Sequence, residues 1–154
     1  MLAPIATDLR GLRDRALILL VGWAAALRRS ELAALELRDL HFEREGVVLT
    51  IRRSKRDREG GGEEVAVPFA AELEQCPVPA LQAWLAAAAL AEGRVFRSID
   101  RHGAIGANVS GWTIGEIVKV RVEAASLEAT SALTRCAQDS RRRRREVASA
   151  KPPS

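Results

Sequence analysis

The sequence predicts an α+β fold, mostly α-helical, with one small three-stranded antiparallel sheet. Three observations carry that expectation. Apolar residues recur at helical spacing in three places: near the N-terminus, from about 81 to 88, and from 112 to 124. The β-branched and aromatic runs are confined to one stretch, 41–68, where glycine and charged residues separate them. Strands gathered in one place and flanked by helices read as α+β rather than as alternating βαβ units.

Thr7 or Asp8 can cap a first helix, along which Leu9, Leu12, Ala16, Leu19, Leu20 and Trp23 share one face. Ser30 is an expected N-cap for a short second helix over 31–36, with Leu32 and Leu35 turned inward. His41-Phe42-Glu43 and Val47 to Ile51 are the first two strands, joined through Arg44-Glu45-Gly46 as a hairpin. A long, charged, glycine-rich connection follows, and Val65 to Pro68 is a third strand. Pro77-Val78-Pro79 opens the next helix and Gly93 is expected to end it, with Leu81, Trp84, Leu85 and Ala88 on the buried face. Val95-Phe96 is a short apolar pair, and 97–108 reads as loop. Ser110 can cap a last helix over 112–124, with Ile114, Ile117, Val118 and Val122 inward. Beyond Leu127 the periodicity stops.

The chain has 154 residues, 47% of them hydrophobic, enough for one domain with a core. Arg28 and Arg29 close the longest apolar run before it reaches membrane-spanning length, so no membrane partner is expected. The first seven residues lack a basic segment followed by an apolar one, and no secretory signal is expected. Cys76 and Cys136 have no metal-ligand spacing and read as free thiols in a reducing, cytoplasmic compartment; no metal and no cofactor is expected. The net charge of +4 is unevenly placed: Arg135 to Lys151 carries +5, while the rest has 17 basic and 18 acidic residues. Any nucleic-acid contact by the body of the chain must therefore rest on local charge.

The most informative stretch is Ala26-Leu27-Arg28-Arg29-Ser30-Glu31-Leu32, where an apolar run meets two arginines at a helix-to-helix corner. A corner fixes the direction of a guanidinium, and a planar five-donor fork beside a helix N-terminus suits a phosphate. A solvated arginine pair at a helix end is the alternative reading of the same residues.

With Arg53-Ser54-Lys55 ahead of Val65-Ala66-Val67-Pro68, and Cys76-Pro77-Val78 ahead of a helix, the corner resembles the catalytic domain of the tyrosine recombinases, the phage integrase family. The resemblance covers roughly the first four-fifths of the chain and implies a partial catalytic domain over 1–128. It implies that Arg28 grips the scissile phosphate and that Lys55 is the general acid protonating the 5′-oxygen of the leaving strand. Fixed positive charge on the non-bridging oxygens and a proton donor at the leaving oxygen are what phosphoryl transfer requires. Arg29, at a variable position of the corner, and Arg53 and Arg56 in the basic connection are candidate DNA contacts. A solvated lysine among arginines remains the other reading of Lys55.

The chain departs from the family where the chemistry is completed. It contains no tyrosine, and no His-x-x-Arg pair follows the lysine. The string His41-x-x-Arg44 precedes the lysine and reads as a hairpin pair; His102 reads as a loop residue. The nucleophile cannot be replaced by electrostatics, because the covalent intermediate is the mechanism. Met1 stands close to the first helix, so no separate DNA-clamping domain is expected ahead of it. Residues 134–140, back-translated and read one base earlier, permit His-Ser-Leu-Arg-Ala-Gly-Phe, which resembles the missing stretch. The expectation is a C-terminally truncated remnant whose basic tail, 129–154, is disordered and out of frame, and which is inactive on its own. Its partners would be double-stranded DNA and, through exposed helical surface, intact recombinase protomers, with no small-molecule substrate. The alternative is a non-catalytic accessory protein that binds DNA through the basic connection and the arginine-rich tail.

Overall fold

The computed structural model describes residues 8–23, 27–52 and 62–126. Among these are four α-helices and a three-stranded antiparallel sheet, as the expected α+β class requires. Thr7, the tail 129–154 and the basic connection with Arg53, Lys55 and Arg56 lie outside the described residues.

Helix α1 spans Leu9–Trp23. Asp8 caps it, its Oδ1 accepting the Gly11 N–H at 2.8 Å. Ala16, Leu17, Leu19 and Leu20 are buried, and Leu9 and Leu12 pack against the same core. Helix α2 spans only Arg29–Ala34, too short to persist without tertiary support, and Leu32 with the following Leu35 supplies it. A 3-10 turn at Leu37–Asp39 leads into strand β1, Leu40–Glu43. Strand β2, Gly46–Ile51, is central in the order β1-β2-β3, with β3 at Glu63–Pro68. Val47, Leu49 and Ile51 alternate inward from β2 and Val67 from β3, the period-two pattern of a sheet with one buried face. Glu43 pairs with Gly46, so the first connection is a tight turn. Gly46 itself must be glycine: a Cβ there would collide with the Val67 carbonyl and lie 2.8 Å from the Pro68 Cα. Ile51 pairs with Glu63, which makes 52–62 the second connection.

Helix α3, Pro77–Ala87, packs on α1 and buries Val78, Leu81 and Trp84. It does not run on to Gly93. Ala89 takes a left-handed φ of 49°. The Leu90 N–H then bonds the Leu85 carbonyl at 3.2 Å, the six-to-one bond of a Schellman stop. Partly buried Leu85 and Leu90 pack against the core at this terminus, so apolar packing ends the helix at an alanine where sequence preference pointed to the later glycine.

The segment beyond α3 is stitched to the residues beyond α2. The Leu37 N–H donates to the Gly93 carbonyl at 2.9 Å and the Val95 N–H to the Leu35 carbonyl at 3.0 Å. Val95 and Phe96 are fully buried, and the Trp84 indole donates to the Val95 carbonyl at 2.9 Å. Helix α4, residues 111–126, is capped by Ser110, whose Oγ accepts the Thr113 N–H at 3.1 Å. Ile114 is buried and Ile117 packs on the core, but Val122 is 54% exposed, against expectation. The ion pair of Arg121 with Asp14 of α1 takes the inward line of the helix and turns Val122 outward. Trp112 and Val120 are exposed as well. No helix among the described residues is long and apolar enough to cross a membrane.

Candidate nucleic-acid interface

The corner is built by Arg28 and Glu31. Arg28 is extended, with φ −80° and ψ 151°, and is the N-cap of α2. Its carbonyl accepts the N–H groups of Glu31 and Leu32, each at 3.0 Å. In return the Glu31 carboxylate accepts the Arg28 backbone N–H at 2.8 Å and the Arg28 Nη1–H at 3.0 Å. An arginine side chain cannot accept a hydrogen bond, so only the Glu31 half of a capping box is made. The cap is thus Arg28, not the expected Ser30. A serine cap contributes about 1 kcal/mol. Starting the helix two residues earlier makes Glu31 its third residue, from which the carboxylate reaches back to the Arg28 N–H.

The consequence is electrostatic. The Glu31 side chain is 9% exposed and the Arg28 side chain 51%. The carboxylate is turned inward, holding one edge of the guanidinium, while the rest of the fork faces outward at a helix N-terminus. Arg29, the first helical residue, is exposed and its side chain runs the other way, alongside Gly115 of α4.

A cleft of about 410 Å³ lies between α2 and the end of β2. Ser30 and Glu31 line one side of it and Ile51 and Arg52 the other. Asp39, 2% exposed, accepts the Glu36 N–H at 3.1 Å and ion-pairs with Arg52. Arg52 is the last described residue before the connection that carries Arg53, Lys55 and Arg56. The root of that connection and the corner therefore face one cleft. Arg94 closes it near the end of α2, bonding the Ala34 carbonyl. His41 and Arg44 lie exposed on the β1 hairpin, away from this cleft's lining. His102 is at an exposed turn, its N–H bonded to Asp100 Oδ1 at 2.8 Å. Among the described residues no group of three or more His, Cys, Asp or Glu could hold a metal ion.

Sequence reasoning singled out Arg28 and Arg29 but not their neighbours Asp39, Arg94 and Gly115. Asp39 had one signal, a carboxylate set between Leu37 and Leu40 at a helix-to-strand junction; Gly115 had only its place inside a helical pattern, where glycine is disfavoured.

No family model matches the chain. It is 42% identical over 121 residues, 78% of its length, to a curated integrase/recombinase xerD homolog from Selenomonas ruminantium. At that identity and coverage, the chain belongs to the tyrosine recombinase family. It spans about 35% of the length of that relative.

Proposed function

We propose that this chain binds duplex DNA in the manner of a site-specific recombinase, with Arg28 gripping a backbone phosphate, and that its 154 residues do not complete strand cleavage. The observation that carries this reading is the Glu31 clamp: one carboxylate fixes both the backbone and the guanidinium of a half-exposed arginine at a helix N-terminus. In cleavage, a nucleophilic oxygen attacks the scissile phosphorus, the bond to the 5′-oxygen breaks, and that oxygen takes a proton. Arg28 stabilises the negative charge that builds on the non-bridging oxygens. Lys55 is the proton donor, and Arg29, Arg53 and Arg56 hold neighbouring phosphates. The attacking tyrosine is the part this chain lacks. An intact recombinase protomer would supply a complete centre, and the cytoplasm is where chain and DNA meet.

A second reading is favoured by the charge distribution: the tail over 135–151 carries +5 and by itself attracts phosphate. One experiment separates the two. Duplex binding is measured by anisotropy across a salt series in a full-length background with Arg141 to Arg145 changed to glutamine. Binding that persists there, and in which Arg28→Ala weakens affinity about eightfold at 0.1 M salt and lowers the salt slope by about 0.9, supports the corner. Binding that disappears with the five arginines, or is indifferent to Arg28→Ala, supports the accessory reading.

A further inference from the structure

We propose that Gly115 of α4 is a positioning residue for DNA binding: lacking a side chain, it seats the Arg29 guanidinium on α4 and carries the positive corner onto a second helix. The inference rests on the duplex-binding reading above and deepens it. A Cβ built on Gly115 would overlap Arg29 Nη1 and lie 3.3 Å from its Cδ and Cζ, so the arginine occupies the space a side chain would fill. One turn earlier a Cβ on Gly111 would stand 3.2 Å from the Ser30 backbone nitrogen and 3.3 Å from the Arg29 carbonyl carbon. Residues four apart share one helix face, so these two glycines form the surface on which α4 meets the corner. Gly111 admits the backbone and Gly115 admits the side chain.

The adjacent arginines consequently diverge. Arg28 is drawn to Glu31, while among the described residues no carboxylate forms an ion pair with Arg29. Laid across Gly115, the Arg29 guanidinium is exposed beside the first turns of α4, whose N-terminal end also favours an anion. Further along α4, Glu116 and Lys119 are both exposed, and Lys119, four residues from Gly115, lies on the glycine face. The strand that meets Arg28 at the corner then meets a second cation laid beside α4.

The test is a double-mutant cycle on duplex affinity in the full-length background with Arg141 to Arg145 changed to glutamine, using Arg29→Ala, Gly115→Ala, Gly115→Leu and the Arg29→Ala/Gly115→Leu pair. Arg29→Ala is expected to weaken binding about eightfold at 0.1 M salt and to lower the salt slope by about 0.9. Gly115→Leu should do the same, Gly115→Ala less, and the pair should match Arg29→Ala alone. A Gly115→Leu penalty that persists undiminished without Arg29 would mean a merely structural glycine and overturn the proposal, as would an unchanged slope in Arg29→Ala. Wild-type protein without salt-dependent binding overturns the duplex-binding reading and this one with it. The seat is also read without DNA, as a nuclear Overhauser contact between the Arg29 δ-methylene and the Gly115 α-protons in the free chain. Its absence overturns the seat while leaving Arg28 untouched.

Discussion

Glu31 commits both of its oxygens to Arg28, and much of the corner follows from that one carboxylate. The leucines on either side, the arginine and the glutamate are legible from sequence because their spacing states which groups go inward and which can meet. The choice of cap is not legible, because a glutamate that reaches back to the N–H three residues earlier looks the same in sequence as one facing solvent, whereas a serine at a helix start is a familiar cap. Ala89 shows a local preference overridden by packing. It holds a left-handed φ that costs an alanine about 1 kcal/mol, because the helix stop is set by packing around it. Ala89→Gly should therefore raise unfolding free energy by about 1 kcal/mol in a denaturant titration, whereas an unchanged or lowered value would mean that the stop is not strained. Gly115 illustrates the limit of sequence at this scale: that a glycine leaves room is visible, but not which distant side chain uses the room.

Helix α4 is braced at two points. Near its start Gly111 meets the corner. Toward its end Arg121 donates two hydrogen bonds to Asp14 Oδ2, at 2.9 and 3.2 Å. Asp14 Oδ1 is taken by Arg13 at 2.7 and 3.0 Å, and Arg13 in turn donates to the Arg97 carbonyl at 3.2 Å. Asp14 and Arg13 are 6% and 7% exposed, so neither charge can be left without the other. Asp14→Ala should destabilise the fold by about 3 kcal/mol, since it strands a buried guanidinium. Arg121→Ala should cost only about 1 kcal/mol, its side chain being 31% exposed and partly screened. Thermal or denaturant unfolding of the two variants checks the order; equal costs would mean that α4 docking, not Arg13 burial, is what Asp14 serves. The helices, the three strands with their first hairpin and the apolar pair Val95-Phe96 were legible from periodicity and turn residues. The ion-paired brace was not, because an arginine on a helix face reads as solvated until its partner, 107 positions away, is placed.

For the molecule as a whole, the described residues assemble the corner, the sheet and the root of the basic connection around one cleft, and the sequence carries no tyrosine. The residues from 134 to 140 permit a His-Ser-Leu-Arg reading one base earlier, so the gene itself carries a prediction. Its nucleotide sequence, translated in the alternate frame from the Ala124 codon onward, should show that string and a tyrosine beyond it; an alternate frame closed by stop codons would make the basic tail a native segment. That the domain is recombinase-like was legible because the corner combines several residue types in one short order. The tail was not, because a run of arginines has the same appearance as a DNA-binding arm and as a slipped frame.

The central claim, a recombinase fold that grips DNA but cannot break it alone, is tested most directly with a suicide duplex whose cleaved strand would remain trapped on the protein. Purified chain incubated with that substrate and run under denaturing conditions should show no covalent DNA adduct, while the same mixture under native conditions shows a salt-sensitive complex. A denaturant-resistant adduct would contradict the claim, since it would require a nucleophile other than tyrosine in these 154 residues.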